Sequence, residues 1–248
     1  MIGLLRKNRS RARPVPEPGS VEVDGQVIPV RFRVNKRARG LILRVETHAG
    51  GGGEAVVTLP PGVDRDTALE FAEERAFWIM ERLIKAPPSV CFDDGAVIPF
   101  LGADHMIRHQ PGQRTPVIRD GGVLLVGGQP EHLPRRLKEW LKKEARRKIE
   151  LQVIELTAKI EKRHSRISIR DTRSRWGSCS SSGALNFSWR LVMAPEWVLD
   201  YVVAHEVAHL AEHNHSPDFW AVVAHLNDDA IPARDWLAKY GEALHHYG

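Results

Sequence analysis

Cysteine is scarce in this chain: Cys91 and Cys179 are the only two in 248 residues. Two thiols cannot build a disulfide framework or a cysteine-rich zinc module. A reducing, cytoplasmic setting is therefore the expectation, and any metal falls to histidine and carboxylate. Long apolar runs are missing as well. No stretch approaches the ~20 residues that a membrane span needs. The start, Met1-Ile-Gly-Leu-Leu-Arg-Lys, meets charge too early for the apolar region of a secretory signal. Neither a membrane span nor a membrane partner is expected.

What the chain does have is an ordinary globular composition, 42% hydrophobic and 27% charged, which rules out a wholly disordered chain. This length suits one large domain or two small ones. Lys and Arg number 36 against 31 Asp and Glu, a formal charge of +5, and the surplus is uneven. Arg6, Lys7, Arg9, Arg11 and Arg13, followed by Pro14, Pro16 and Pro18, make residues 1–19 a basic arm. It is read as a disordered, solvated tail, with nucleic acid as the rival partner. Further clusters lie at Arg31, Arg33, Lys36, Arg37 and Arg39, and along 135–148. The latter is interrupted by Glu139 and Glu144, the pattern of an exposed helix face with local ion pairs. No aromatic residues interleave with these clusters as a base-stacking platform would require.

Alternation of Val21, Val23, Ile28 and Val30 with polar residues predicts strands in the 20–60 region, followed by Leu41, Leu43, Val45 and then Val56, Val57, Leu59. Gly50 to Gly53 reads as a hairpin tip rather than a phosphate loop, which would need a Lys-Ser/Thr ending. One helix is expected over 66–85, capped by Asp64 or Asp66 and stopped by Pro87-Pro88. Hairpins follow over 90–127. A long helix over 131–163 carries an apolar stripe of Leu137, Leu141, Ile149, Val153, Leu156 and Ile160. Strands near 166–171 and 184–189 precede a helix from Pro195 to about 213, another opened by Ser216-Pro217, and a last one over 232–246. No internal repeat is visible. The expected organisation is thus the arm, a β-rich N-terminal part over 20–130 with one helix, and a helical core over 131–248.

Chemistry concentrates at His205-Glu206-Val207-Ala208-His209. Spacing of four on a helix sets His205 and His209 one turn apart on one face, ~6 Å between Cβ atoms, where two imidazoles can share one Zn²⁺. Glu206 lies about 100° further round. There it can take a proton from water activated by such an ion without being a ligand itself. Two histidines and a glutamate on an otherwise apolar helix are costly unless something partners them. A catalytic site needs a third protein ligand and an open position. His215 is the favoured third ligand, since a turn at Asn214 can swing it back. His213 and Glu212 are alternatives expected to be solvated or peripheral. Asp218, Asp228 and Asp229 could orient a ligand but read better as helix N-terminal charges. His105 and His109 fall in an expected hairpin, where a spacing of four does not stack, and His245 and His246 fall in the tail.

Four blocks in order carry a family resemblance: Arg175-Trp176-Gly177-Ser178-Cys179; Asn186-Phe187-Ser188-Trp189-Arg190-Leu191; Leu199 through Leu210 around the His pair; and Asn214-His215-Ser216-Pro217-Asp218-Phe219-Trp220. Together they resemble the YgjP-like metallopeptidases, a group related to the SprT-like and WLM zinc peptidases. The resemblance implies an α+β fold with a zincin-like catalytic core, helices packed on a small, mostly antiparallel sheet. It also implies zinc on His205, His209 and His215, with Glu206 as general base. A protein or peptide substrate follows. The Trp176–Cys179 hairpin could edge the cleft and offer main-chain groups to an extended substrate, although Trp176 and Trp189 also read as plain core. Cys179 reads as a small core residue. Tyr201 either packs or donates to an oxyanion. The expected activity is zinc-dependent peptide hydrolysis. The rival is a nucleic-acid-associated zinc protein acting through its basic clusters.

Overall fold

A computed structural model describes residues 17–48, 52–85, 89–172 and 174–248. The basic arm up to residue 16, the glycines at 50 and 51 and the Pro87-Pro88 stop lie outside the described residues. Among the described residues, six α-helices and three small sheets make an α+β fold. No helix there is long and apolar enough to cross a membrane. The chain divides into two compact units between Ser89 and Val90.

The first unit holds β1 (Gly19–Val23), β2 (Gln26–Val34), β3 (Ile42–Thr47), β4 (Gly53–Leu59), α1 (Arg65–Glu73) and α2 (Ala76–Lys85). Its sheet runs β1-β2-β4-β3, with only β2 and β4 parallel. The alternating residues do what alternation requires: Val21, Ile28, Val30, Phe32, Val57 and Leu59 are buried against Ala68, Ala72 and Ile79 of the helices. Asp64 caps α1, its carboxylate accepting from the Thr67 N–H at 2.8 Å. The single helix expected over 66–85 is interrupted. Arg75 lays its guanidinium over the Phe71 ring at 3.9 Å and donates from Nη1 to the Phe71 carbonyl at 3.1 Å. The Arg75 N–H turns instead to Ala72, which tightens the chain and starts α2 afresh.

The second unit opens with β5 (Val97–Phe100), β6 (Ala103–Gln110), β7 (Val117–Asp120) and β8 (Val123–Gly127), in sheet order β5-β6-β8-β7. This repeats the strand order of the first sheet, and again only the middle pair is parallel. The fold therefore contains a repeat of topology that the sequence did not reveal. These hairpins belong with the helices that follow them, so the boundary expected at 130/131 falls instead at 89/90. The reason is packing: Ile98, Phe100, Ile107, Leu124 and Val126 share one continuous core with the helices of the C-terminal half.

The long helix α3 (Leu133–Lys159) buries Leu137, Leu141, Ala145, Ile149, Val153 and Leu156 on one stripe. Its outer face carries the expected ion pairs, Arg135–Glu139 at 3.0 Å, Arg146–Glu150 at 2.6 Å and Arg147–Glu144 at 2.8 Å. A third sheet follows, of β9 (Arg166–Arg170), β10 (Gly177–Cys179) and β11 (Ala184–Ser188), in order β10-β11-β9. It was expected to be mostly antiparallel. In fact β10–β11 is antiparallel and β11–β9 parallel, because the strand after α3 returns alongside β11. A 3₁₀ turn over Trp189–Met193 leads into α4 (Glu196–Ala208), then α5 (Pro217–Leu226) and α6 (Ala230–Tyr240).

Candidate metal centre

The helix α4 is buried along most of its length: Val198, Leu199, Val202, Val203 and Val207 face core. It ends at Ala208 rather than continuing to 213, with His209 at its C-terminal cap. The Leu210 and Ala211 N–H groups turn back to Val207 and Ala208. Ser216 then accepts from the Phe219 N–H at 3.3 Å and starts α5 with Pro217 in its first turn. This early stop and restart bring His215 back over the His205/His209 face. Nitrogens of His205, His209 and His215 all lie within 4.8 Å of one another.

The ring geometry leaves these nitrogens able to act as ligands. His209 Nδ1 is 3.1 Å from the Glu212 carbonyl oxygen. That oxygen can only accept, so Nδ1 carries the proton and Nε2 keeps its lone pair. His205 Nδ1 is 3.4 Å from the Tyr201 hydroxyl, and its Nε2 is 3.2 Å from His215 Nε2. Two nitrogens at ~2.0–2.1 Å from one tetrahedral ion stand roughly 3.3 Å apart. The His205–His215 separation is thus the edge of such a site. Burial, helped by the charges His209 and His215 would carry, drives His205 down to about 4, so it is neutral at physiological pH as a ligand must be. Burial lowers His209 too. The residues present therefore fit a divalent ion.

Around the triad sits an aromatic wall. Phe219 places its ring 5.0, 4.5 and 4.8 Å from those of His205, His209 and His215. Trp220 lies nearly parallel to His215 at 5.9 Å, and the Arg234 guanidinium sits over the Trp220 ring at 4.9 Å. These residues supply the shape that holds the imidazoles. The sequence signalled Phe219 and Trp220 only through their place in the Asn214–Trp220 block.

Glu206 is 6% exposed and faces β10. A Cβ placed on Gly177 would fall 2.5 Å from Glu206 Cγ and Oε1. Only glycine leaves room there for the carboxylate. The Cys179 main chain and the positive charge of Arg175 both favour the ionised form of Glu206. Burial is the larger influence, and it raises the Glu206 carboxyl to about 7. Cys179, expected as core filler, is half-buried and serves this site through its main chain.

Beside Gly177 opens a cleft of about 350 Å³, lined by Arg170, Asp171, Arg175, Gly177, Ser178 and Asn186 among others. Its far wall is tied down by Arg190. This arginine is buried, donates to Asp171 and to the Tyr247 carbonyl, and stacks over Trp189 at 4.4 Å.

Other expected residues fall elsewhere. His213 is exposed, and Glu212 offers the triad its carbonyl rather than its carboxylate. Asp218 lies in the first turn of α5, and Asp228 and Asp229 are exposed before α6. His209 and His205 are instead steadied by Glu212 and Tyr201. His105 and His109 bond to the carbonyls of Ala103 and Gly128, away from any metal cluster among the described residues. His245 is no tail residue: it stacks on Trp176 at 4.9 Å.

The sequence profile of the YgjP-like family, metallopeptidase domain, matches residues 42–240. The chain belongs to the YgjP-like metallopeptidase family. A YgjP-like metallopeptidase domain is that of a hydrolase which uses a metal ion, and its substrates are proteins or peptides. The match runs from β3 through α6 and so crosses both units. No curated protein and no solved structure matches the chain. Nothing among the described residues supports nucleic acid as a partner of this YgjP-like domain. Arg31 is paired with Glu46 and Glu54 at 2.7 and 2.9 Å, and much of the 135–148 cluster is paired along α3.

Proposed function

We propose that this protein is a zinc-dependent peptidase in which His205, His209 and His215 hold Zn²⁺ and Glu206 is the general base. The observation that carries this reading is the convergence of three imidazole nitrogens within 4.8 Å beside a buried carboxylate. When bound, the ion supplies a Lewis acid that acidifies water and polarises the scissile carbonyl.

The chain's own residues do the rest. A Glu206 carboxyl at about 7 is poised near neutral pH both to take a proton and to give it back. A neighbouring dication favours its ionised form. Glu206 takes the proton of the attacking water at a carboxylate oxygen and passes it to the departing amine. The bare Cα of Gly177 leaves the room that carboxylate occupies, and the Cys179 main chain favours its charged form. Tyr201 and Glu212 fix the ring orientation of His205 and His209. The strand β10 is an edge of its sheet, so its free main-chain groups can pair with an extended peptide. The surroundings are the cytoplasm.

Metal analysis of the purified protein beside His215→Ala, with cleavage assays on Glu206→Gln, tests this. The expected outcome is one zinc per chain, lost in His215→Ala. Glu206→Gln should retain zinc while kcat falls about 10²–10⁴-fold. A metal-loaded, fully active Gln variant would refute the role of Glu206.

A further inference from the structure

The cleft beside Gly177 is cationic in a way that hydrolysis of a peptide bond does not require. It contains one acid, Asp171, and two arginines, Arg170 and Arg175. Asp171 is already committed, to the buried Arg190 and to Lys138 at 3.3 Å. Neither Arg170 nor Arg175 forms an ion pair among the described residues, and both are exposed. Arg175 reaches Glu206 only through its field. Arg170 and Arg175 both line this space of 350 Å³, which is roughly 9 Å across, about one Debye length at physiological salt. Their mutual repulsion is therefore only partly screened, and an anion between them relieves it.

Both arginines rise from anchored backbone. Arg170 ends β9, in register with Ser188 of β11. The Arg175 carbonyl accepts from the Thr172 hydroxyl at 2.9 Å. A guanidinium presents a planar fork that matches a carboxylate with two parallel hydrogen bonds. The cleft also shares Gly177 with the Glu206 pocket. At ~3.3 Å per residue of extended chain, its occupant lies one to three residues from the bond that Glu206 serves.

We infer that Arg170 and Arg175 form a carboxylate-selecting subsite, so that the protein takes peptides bearing an acidic side chain or a free C-terminus next to the scissile bond. This rests on the peptidase reading for its purpose but not for its test.

The test is binding to the zinc-loaded Glu206→Gln protein of three labelled decapeptides of otherwise identical sequence. One has a central Glu and an amidated end, one a central Gln and an amidated end, and one a central Gln and a free C-terminal carboxylate. A carboxylate-bearing peptide is expected to bind at least tenfold more tightly than the neutral one, with the advantage shrinking as salt rises. Which carboxylate wins tells side chain from chain end. Arg170→Gln/Arg175→Gln should remove the preference while zinc content and melting temperature stay unchanged. Arg175→Glu should bind a fourth decapeptide, with a central Lys and an amidated end, more tightly than the central-Gln one, which guards against a merely structural loss in the double variant. Equal binding of the three peptides, or no detectable binding, overturns the subsite. Acid-selective binding without cleavage of the same peptides by the wild-type protein would sink the peptidase reading and leave the subsite standing. Cleavage without acid preference would do the reverse.

Discussion

The two four-stranded sheets share strand order, pairing sense and a two-residue turn with positive φ, and the second packs into the same core as the helix that carries His205 and His209. In the first unit, β1 and β2 are joined by Asp24-Gly25, with φ of 50° and 76°. In the second, β5 and β6 are joined by Leu101-Gly102, at 49° and 82°. Both are two-residue loops with positive φ at each position, which matches the twist of a hairpin. Asp tolerates that conformation and Leu does not. Leu101 is held by tertiary structure: its N–H donates to the Val192 carbonyl at 2.8 Å, just ahead of α4. The Gly25 turn stands in open space. One topology thus serves as a layer over its own two helices in the first unit and as a brace for α4 in the second.

Matched substitutions sharpen that contrast. Leu124→Ala in β8 and Leu59→Ala in β4 remove the same atoms from equally buried sites, and each should cost about 2–5 kcal/mol by denaturant titration. Only Leu124→Ala should also weaken zinc binding, since its core is continuous with α4. An equal loss of zinc in both variants would break the distinction.

Gly177→Ala puts a methyl against the Glu206 carboxylate. It should lower kcat about 10²-fold, the low end for losing a positioned base, with zinc content intact. Wild-type turnover in this variant would remove β10 from the account of Glu206.

Gly25→Ala should cost about 1–2 kcal/mol for backbone strain alone. Gly102→Ala should cost more, because its Cβ also lands 3.0 Å from Pro195 Cα. Paired thermal melts would read the difference.

The smallest effect concerns acid. Burial works to raise Asp171, but the Arg190 hydrogen bond and charge, with Lys138 beyond, hold it at about 2, below its ordinary 3.8. The folded carboxyl binds its proton less readily than the unfolded one. Its contribution to stability is therefore complete above pH 4 and disappears as pH falls toward 2. Solvent screens this partly exposed pair, so Asp171→Asn should flatten the acid limb of a stability-versus-pH curve only slightly.

Much of this molecule was legible in its residues. The apolar stripe of α3 and the ion pairs along its back follow from helical spacing alone, as does the pairing of His205 with His209. The return of His215 was legible as a preference, because Ser216-Pro217 marks a restart. Local pattern could not fix where α4 stops. The helix ends at Ala208, where the next N–H groups turn back to Val207 and Ala208 and the Glu212 carbonyl accepts from His209 Nδ1. The break between α1 and α2 depended on where one arginine side chain folded, and propensity carries no record of that.

The amino-acid order by itself determined which groups make up the candidate centre: two imidazoles one helical turn apart, an acid next to the first, and a histidine after a helix stop. Those are facts of short-range geometry, set by 3.6 residues per turn and by capping. Tertiary structure decided what surrounds them: the strand edge against Glu206, the aromatic wall of Phe219 and Trp220, the cationic cleft, and the sheet whose topology repeats that of the first unit. These depend on contacts between residues far apart in the chain, and a periodic pattern gives a face its polarity without naming the partner it will meet.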